Sequence, residues 1–316
     1  ICTVEKPKAL KRVVADDPTV SMKFMINTSP FAGKEGEHVQ SRKILERLEK
    51  ETLHNVALRV ELGETADSFL VKGRGEFQMA ILIETMRREG FELSVGRPEV
   101  IMKEKNGVKL EPIEHLFIDI EEGYTGIVTE KLSKRLGRMI NMVNHGTGRV
   151  RLEFMSPSRG LIGFRGLFLT LTSGSGIMTS VFDHYGPVKD GDVGGRQNGV
   201  LISMVTGKTA AFALFNLQSR GRLFLGHAVE VYEGQVIGIH SRDNDLSVNP
   251  VKGKQLTNMR ASGTDEALTL TPPIRHTLEQ ALEFIEDDEL VEVTPESIRI
   301  RKKLLTENER KRAGRK

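Results

Sequence analysis

Cysteine is almost missing from this chain of 316 residues: Cys2 is its only one, so no intrachain disulfide can form and a thiolate metal centre is excluded. A reducing cytoplasm is the compartment that suits such a sequence. No run approaches the roughly 18 consecutive apolar residues of a membrane helix, and no secretory signal opens the chain. An initiator methionine is also missing; Ile1 in its place reads as a piece taken from a longer protein. The eight histidines show neither H-x-x-x-H nor H-E-x-x-H spacing. The acids at Glu286–Glu289 suit a solvated helix end better than a cation site. No G-x-S-x-G elbow supports hydrolysis by an activated serine. Gly207-Lys208-Thr209 looks like the end of a phosphate loop, but Ile202 stands where the first glycine must curl the backbone amides. Asp183-His-Tyr-Gly186 fits D-x-x-G, a pattern too short to carry weight. No catalytic, nucleotide or metal site is read in this chain.

What is there begins with a long polar segment, Ser241–Glu266, between the β-like runs Val229–His240 and Ala267–Thr271. The apolar period stops for about 25 residues, beyond the usual loop limit of roughly 12–15. From Leu246 to Thr264 it holds no acid, while Lys252, Lys254 and Arg260 alternate with Asn249, Gln255, Thr257, Asn258 and Ser262. Cations with amide and hydroxyl donors suit a ligand rich in phosphate oxygens and base edges. A solvated surface loop is the alternative reading. The segment offers few apolar anchors and is expected to be mobile without RNA.

Two successive stretches repeat one order of elements. The first reads strand Thr19–Asn27, helix from Ser41, strands Ala57–Leu62 and Ser68–Lys72, helix Glu76–Arg88 stopped at Gly90, and strand Glu92–Val95. The second reads strand Leu116–Glu121, helix Thr125–Met139, strands Ile140–Val143 and Val150–Met155, helix Leu161–Leu171, and strand Gly176–His184. Both are β-α-β-β-α-β, the ferredoxin-like order. After Pro187 come short strands (Val200–Val205, Ala210–Leu217, Arg222–Leu225, Val229–Val231 and Val236–His240), read as a small, mostly β, barrel-like unit. A helix capped by Thr277 and Gln280 follows, then strands Glu289–Val293 and Ser297–Arg301, and a final helix capped by Thr306 and Glu309. The fold class is therefore α+β.

Net charge is only +3, but its distribution is uneven. Glu279–Glu292 carries seven acids and no base, whereas Arg299–Lys316 carries nine bases against two acids. Such a tail attracts polyanions; a charge-paired helix with a frayed end is the other reading. On the expected helix Thr125–Met139, Lys131, Lys134, Arg135 and Arg138 recur at i, i+3, i+4, i+7 and would share one face, apart from the apolar stripe Val128, Leu132, Leu136 and Met139. Four cations without an interleaved acid suit a phosphate backbone. Arg149, Arg151 and Arg159 would extend that patch, and an ordinary solvated face is the alternative.

Several strings are distinctive together. Gly195-Arg-Gln-Asn-Gly-Val-Leu-Ile-Ser203, Gln218-Ser-Arg-Gly-Arg-Leu-Phe-Leu-Gly226, Val231-Tyr-Glu-Gly-Gln235, Gly238-Ile-His-Ser-Arg242 and Leu256-Thr-Asn-Met-Arg-Ala-Ser-Gly-Thr-Asp-Glu266 closely resemble the C-terminal domain of the BipA/TypA translational GTPases. Asp17-Pro-Thr-Val-Ser-Met22, Asn27-Thr-Ser-Pro-Phe31 and Arg87-Arg-Glu-Gly-Phe91 resemble that family's third domain, which is like domain III of elongation factor G. Ser156-Pro-Ser-Arg-Gly-Leu-Ile-Gly-Phe164 resembles its fifth. One departure is Gln78, in Gly73-Arg-Gly-Glu-Phe-Gln-Met79, where the family pattern has histidine.

The resemblance implies four parts. Residues 1–16 would end a preceding barrel domain or linker, 17–104 form a domain III-like module, 105–188 a domain V-like module, and 189–316 the family's own C-terminal domain. It implies a bacterial-ribosome partner, with docking near the A site, contact with rRNA and A-site tRNA, and a role in ribosome assembly and stress adaptation. No membrane or DNA partner is expected, and the chain would be a cytoplasmic, ribosome-associated monomer. GTP and Mg would belong to a GTPase domain of the parent. Carried over onto matching positions, Arg242, Asn244, Lys252, Lys254, Asn258 and Arg260 are RNA contacts from the long loop, while Lys131, Lys134, Arg135, Arg138 and Arg159 grip rRNA backbone. The tail from Arg299 is a third contact. A non-ribosomal regulatory protein with small-ligand-binding ferredoxin-like modules is the alternative function.

Overall fold

The structure, a computed structural model, describes residues 17–144, 146–191, 193, 195–253 and 269–314. In the first module, β1 (Val20–Ile26), α1 (Ser41–His54), β2 (Arg59–Leu62), β3 (Ser68–Gly73), α2 (Glu76–Arg88) and β4 (Leu93–Val95) give the expected order, with a short β5 (Glu99–Val100) beside β1. Strand alternation puts Met22 and Phe24 on the helix side, where Ile44 and Leu48 of α1 and Met79, Ile83 and Met86 of α2 bury against them. The strands run β4-β1-β3-β2, all antiparallel.

The second module holds β6 (Lys103–Lys105), β7 (Val108–Glu121), α3 (Thr125–Lys134), β8 (Arg138–Asn144), β9 (Arg149–Pro157), α4 (Ser158–Leu161), α5 (Phe164–Leu171) and β10 (Ile177–Pro187). Its sheet, β10-β7-β9-β8, has the same ferredoxin-like order and its own core of Leu116, Ile118, Val128, Leu132, Leu152, Phe154, Phe164 and Phe168. Here the expected helix Thr125–Met139 is corrected. It ends at Lys134 because Leu136 takes a left-handed φ of 65°. The Leu136 and Gly137 amides then close a Schellman stop on the Ser133 and Leu132 carbonyls. Glycine comes one place later than usual, at Gly137, where a Cβ would pack tightly, 3.0 Å from the Leu132 oxygen. Residues 138–144 consequently turn back as β8.

The third part holds β11 (Val200–Ser203), β12 (Gly207–Lys208), α6 (Ala211–Leu217), β13 (Gly221–Leu223), β14 (Glu230–Val231), β15 (Gln235–His240), β16 (Leu246–Val248), α7 (Leu278–Phe284), β17 (Glu289–Val293), β18 (Ile298–Lys302) and α8 (Glu307–Ala313). Two further expectations are corrected. Ala211–Leu217 is a helix, burying Ala213 and Leu214; its short apolar run fits either period. No closed barrel forms among the described residues. Instead β17 pairs with β4, Val291 opposite Val95 and Val293 opposite Leu93, so the sheet of the first module continues into the third. The path runs β16-β11-β15-β18-β17-β4-β1-β3-β2, with β13 beside β15. One core runs beneath it, from Met22 and Phe69 through Val291 and Ile300 to Leu278, Ala281 and Leu282 of α7. The second module is thus inserted between two parts of a single sheet.

Candidate RNA-facing surface

The start of the long polar segment is held by its backbone and one buried cation. Gly199 N–H donates to the Arg242 carbonyl (2.8 Å), Val200 N–H to Asp245 Oδ1 (2.9 Å), and Ser241 N–H to the Arg220 carbonyl (2.9 Å). Gly199 has to be glycine, because a Cβ would meet the Asn244 carbonyl carbon at 2.2 Å. Inside the segment β16 pairs in parallel with β11, so the expectation of an unstructured stretch is corrected at Leu246–Val248. Lys302, only 2% exposed, pairs through Nζ with Asp245 (2.6 Å), Asp288 (2.8 Å) and Glu289 (2.9 Å). Burial works against its charge, but the three carboxylates outweigh that and raise its pKa. At the far end Gln218 accepts from Thr271 N–H and hydroxyl, tying residues 269–271 to the turn before β13. No strand forms at 269–271, the described part of the expected Ala267–Thr271.

Both ends therefore meet at the turn before β13. Arg242 is exposed there and Lys252 beyond the other end of β16, each without a side-chain partner among the described residues. Asn244 is exposed, its amide donating to the Asp245 carbonyl (3.3 Å). Lys254, Asn258 and Arg260 lie outside the described residues. Two exposed cations that the sequence reading passed over lie at this turn: Arg220, and Arg222 opposite Ile239. Their signal was Ser219-Arg-Gly-Arg222. Gly221 admits close strand approach, its would-be Cβ 1.9 Å from the Ile239 oxygen, and sets an arginine on each side.

The four cations of the second module do not share a helix face, which corrects that expectation. Lys131 and Lys134 lie on α3, and Lys134 pairs with Glu130 at 2.6 Å. Arg135 sits past the end of α3, donating to the Gly160 and Ile162 carbonyls (3.2 and 2.7 Å) over the Phe164 ring. Arg138 opens β8 and is exposed. Arg159 is bound internally, to buried Glu111 at 2.6 Å and to the Gly191 and Lys189 carbonyls. Arg149 is likewise held by Asp119. Lys105, Lys109, Arg138 and Arg151 are exposed cations of this module without a described side-chain partner.

The basic tail divides in the same way. On the β17–β18 hairpin Glu289 faces Lys302 and Glu292 faces Arg299, so the acidic and basic blocks pair with each other. Arg299 also pairs with Glu35. Glu292 further accepts from Tyr232 hydroxyl (2.6 Å), Ser29 hydroxyl (3.0 Å) and Asn27 amide (3.0 Å), a buried polar seam between first and third parts. Burial beside that carboxylate holds the Tyr232 hydroxyl well above its usual pKa. Lys303 and the end of the tail, including Lys311 and Arg312, are exposed.

All three parts meet at Gly163, the cap of α5. Glu76 of α2 accepts its N–H through both oxygens (2.9 and 3.0 Å), and Glu283 of α7 packs against the same glycine. Burial pushes each carboxyl up to about 7; mutual repulsion adds to this for Glu76, and Arg135 opposes it for both. Gln78 bridges locally, accepting from Arg74 N–H (2.8 Å) and donating to Asn55 (3.1 Å).

Residues 108–193 match the elongation factor G C-terminus, and residues 198–307 match the TypA/BipA C-terminal domain. Over 315 residues, all of this chain, the sequence is 63% identical to the large ribosomal subunit assembly factor BipA of Escherichia coli K12, covering 52% of that protein. It is 60% identical to the protein of that name from Haemophilus influenzae, covering 51% of it. The counterpart from Buchnera aphidicola is 56% identical, with 52% covered. The chain thus spans about half the length of these relatives. With the two matches in order and the similarity continuous through them, the chain carries an elongation factor G C-terminus followed by a TypA/BipA C-terminal domain.

Proposed function

We propose that this chain is the ribosome-binding portion of a translational GTPase that assists assembly of the large ribosomal subunit and stress adaptation, docking near the A site. The observation that carries this reading is the unbroken 63% identity to a protein named for that assembly role. The turn where both ends of the long loop meet supports it physically. Arg220, Arg222 and Arg242 present cationic donors there, with Asn244 to pair with a base or ribose, and Lys252 is exposed beyond β16. In this reading Lys254, Asn258 and Arg260 continue the contact toward rRNA and the acceptor end of A-site tRNA. Lys131, Lys134 and Arg138 add backbone contacts from the second module, and Arg135 and Arg159 act by positioning its loops. GTP hydrolysis, with its GTP and Mg, belongs to the parent protein, which works as a cytoplasmic, ribosome-associated monomer.

Co-sedimentation of the chain with bacterial ribosomes across a salt series tests this. Saturable binding is expected, with log affinity falling by about 0.7–0.9 per phosphate neutralised for each unit of log salt. Charge reversal at Lys252, Lys254 and Arg260 together should weaken binding and leave thermal stability unchanged. Binding indifferent to both salt and charge reversal would overturn the reading.

A further inference from the structure

On the sheet face away from the helices, a cavity of about 810 Å³ opens where the first and third parts join. Leu290 and Gly96 lie in its floor, with Lys23, Arg97, Arg301 and Lys303 among its lining. Gly96 carries no side chain to fill this space; Lys23 and Leu290 lie 3.7 and 3.9 Å from where its Cβ would be.

Arg301 is the anomaly. It is 2% exposed, yet no carboxylate pairs with it among the described residues. Its guanidinium donates to Thr28 hydroxyl (2.9 Å) and, at longer range, to Ser94 hydroxyl and the Lys302 carbonyl, while Nε has no partner. Glu292 on this face is taken up by Arg299, Tyr232, Asn27 and Ser29, and the acids lining the cavity itself are Glu64, Asp67, Glu99 and Asp287. A buried, unpaired cation is among the costliest arrangements in a protein interior unless an anion compensates it. Lys303, two residues along the same strand direction, is exposed at the rim and bound only to the Asp287 carbonyl. The other two cations are shared with acids: Lys23 with Glu64 at 3.4 Å, and Arg97 with Glu286 and Asp287 at 3.3 and 3.4 Å.

We propose that this cavity binds a phosphate group, with Arg301 and Lys303 as its donors and Thr28 hydroxyl completing the cradle. Phosphate fits better than a carboxylate because a guanidinium fork and an ammonium from β18 and the residue after it, with a hydroxyl from the turn after β1, line one cavity, and three or more acceptor oxygens can satisfy them together. Arg97, held by its two carboxylates, closes the rim and leaves Asp287 neutralised toward the ligand. The site stands apart from that turn and does not depend on the ribosome reading. Its phosphate could be free or part of a nucleic-acid backbone, and the test separates these sources.

The experiment measures thermal midpoint during titration with inorganic phosphate, with acetate at matched ionic strength as control, and then affinity for a short RNA. A saturable rise of about 5 °C at a hundredfold excess over Kd is expected for phosphate and not for acetate. Arg301→Met should keep or raise the midpoint in phosphate-free buffer, since it removes an unpaired buried charge, and should abolish the phosphate response. Lys303→Ala, on the surface, should fold normally and weaken the response about tenfold. If phosphate alone does nothing but RNA affinity falls in Lys303→Ala and Arg301→Met, the site takes backbone phosphate. The proposal is overturned if neither ligand responds to the variants, or if Arg301→Met unfolds the protein while Lys303→Ala responds like the unaltered chain.

Discussion

Glu76 and Glu283 put two carboxyls with pKa near 7 against one helix start, and that makes the three-part junction sensitive to pH. Because folding raises each pKa from an ordinary 4.5 to about 7, the folded state holds these protons more tightly. Their stabilisation is fully present below about 4.5 and is lost as pH rises through about 7. Glu114, Glu279 and Arg135 face the same pair and shape the curve. Glu76→Gln, which keeps an acceptor for Gly163 N–H, should match the unaltered chain near pH 5. At pH 8 it should be more stable by about 1–2 kcal/mol, less than the full shift implies since solvent reaches part of the pair. Urea unfolding at both pH values checks this; equal stability at pH 8 would show that the carboxyls are ordinary. The same scale shows where residue chemistry was readable and where it was not. Arg242 and Lys252 were found by composition and are exposed, but Arg159 was not distinguishable from them, because its partner Glu111 lies 48 residues away in sequence.

Among the elements, those with strong local signals came through with their bounds. Glu76–Arg88 and Glu289–Val293 agree to the residue, and both Thr capping boxes form as read. Thr277→Ala should therefore cost about 1 kcal/mol, because Thr277 Oγ1 accepts from Gln280 N–H at the end of a helix that closes the shared core. Chemical denaturation measures it, and a loss below about 0.3 kcal/mol would mean that packing alone sets this helix start. Elements failed where local chemistry was atypical. The stop of α3 uses a leucine in the left-handed region, which capping rules assign to glycine, so the four cations were drawn onto a helix that ends too soon. Ala211–Leu217 is short and apolar on both periods, and nothing nearby decides between helix and strand. The acidic and basic blocks were legible as blocks; that they are facing strands of one hairpin was not, since pairing has no signature at a single position.

For the whole molecule, the β4–β17 pairing matters most. First and third parts share a core and should unfold together, while the second has its own core and can unfold separately. Hydrogen exchange should show β1, β4, β17 and β18 protected as one unit, with β7 and β9 as another. A separate midpoint for β17–β18 would refute this. Residues 105–188 expressed alone should fold, whereas a chain ended at residue 188 leaves β4 as a bare apolar edge and should aggregate. The pairing also has a consequence during synthesis. Leu93 and Val95 emerge roughly 200 residues before the Val293 and Val291 that cover them, a delay of about 10–40 s at ordinary elongation rates. A nascent chain thus carries an unfinished sheet until its last strands are made. Any message cut short before that point yields a product that cannot close, so translation to near the end of the chain is itself checked by the fold.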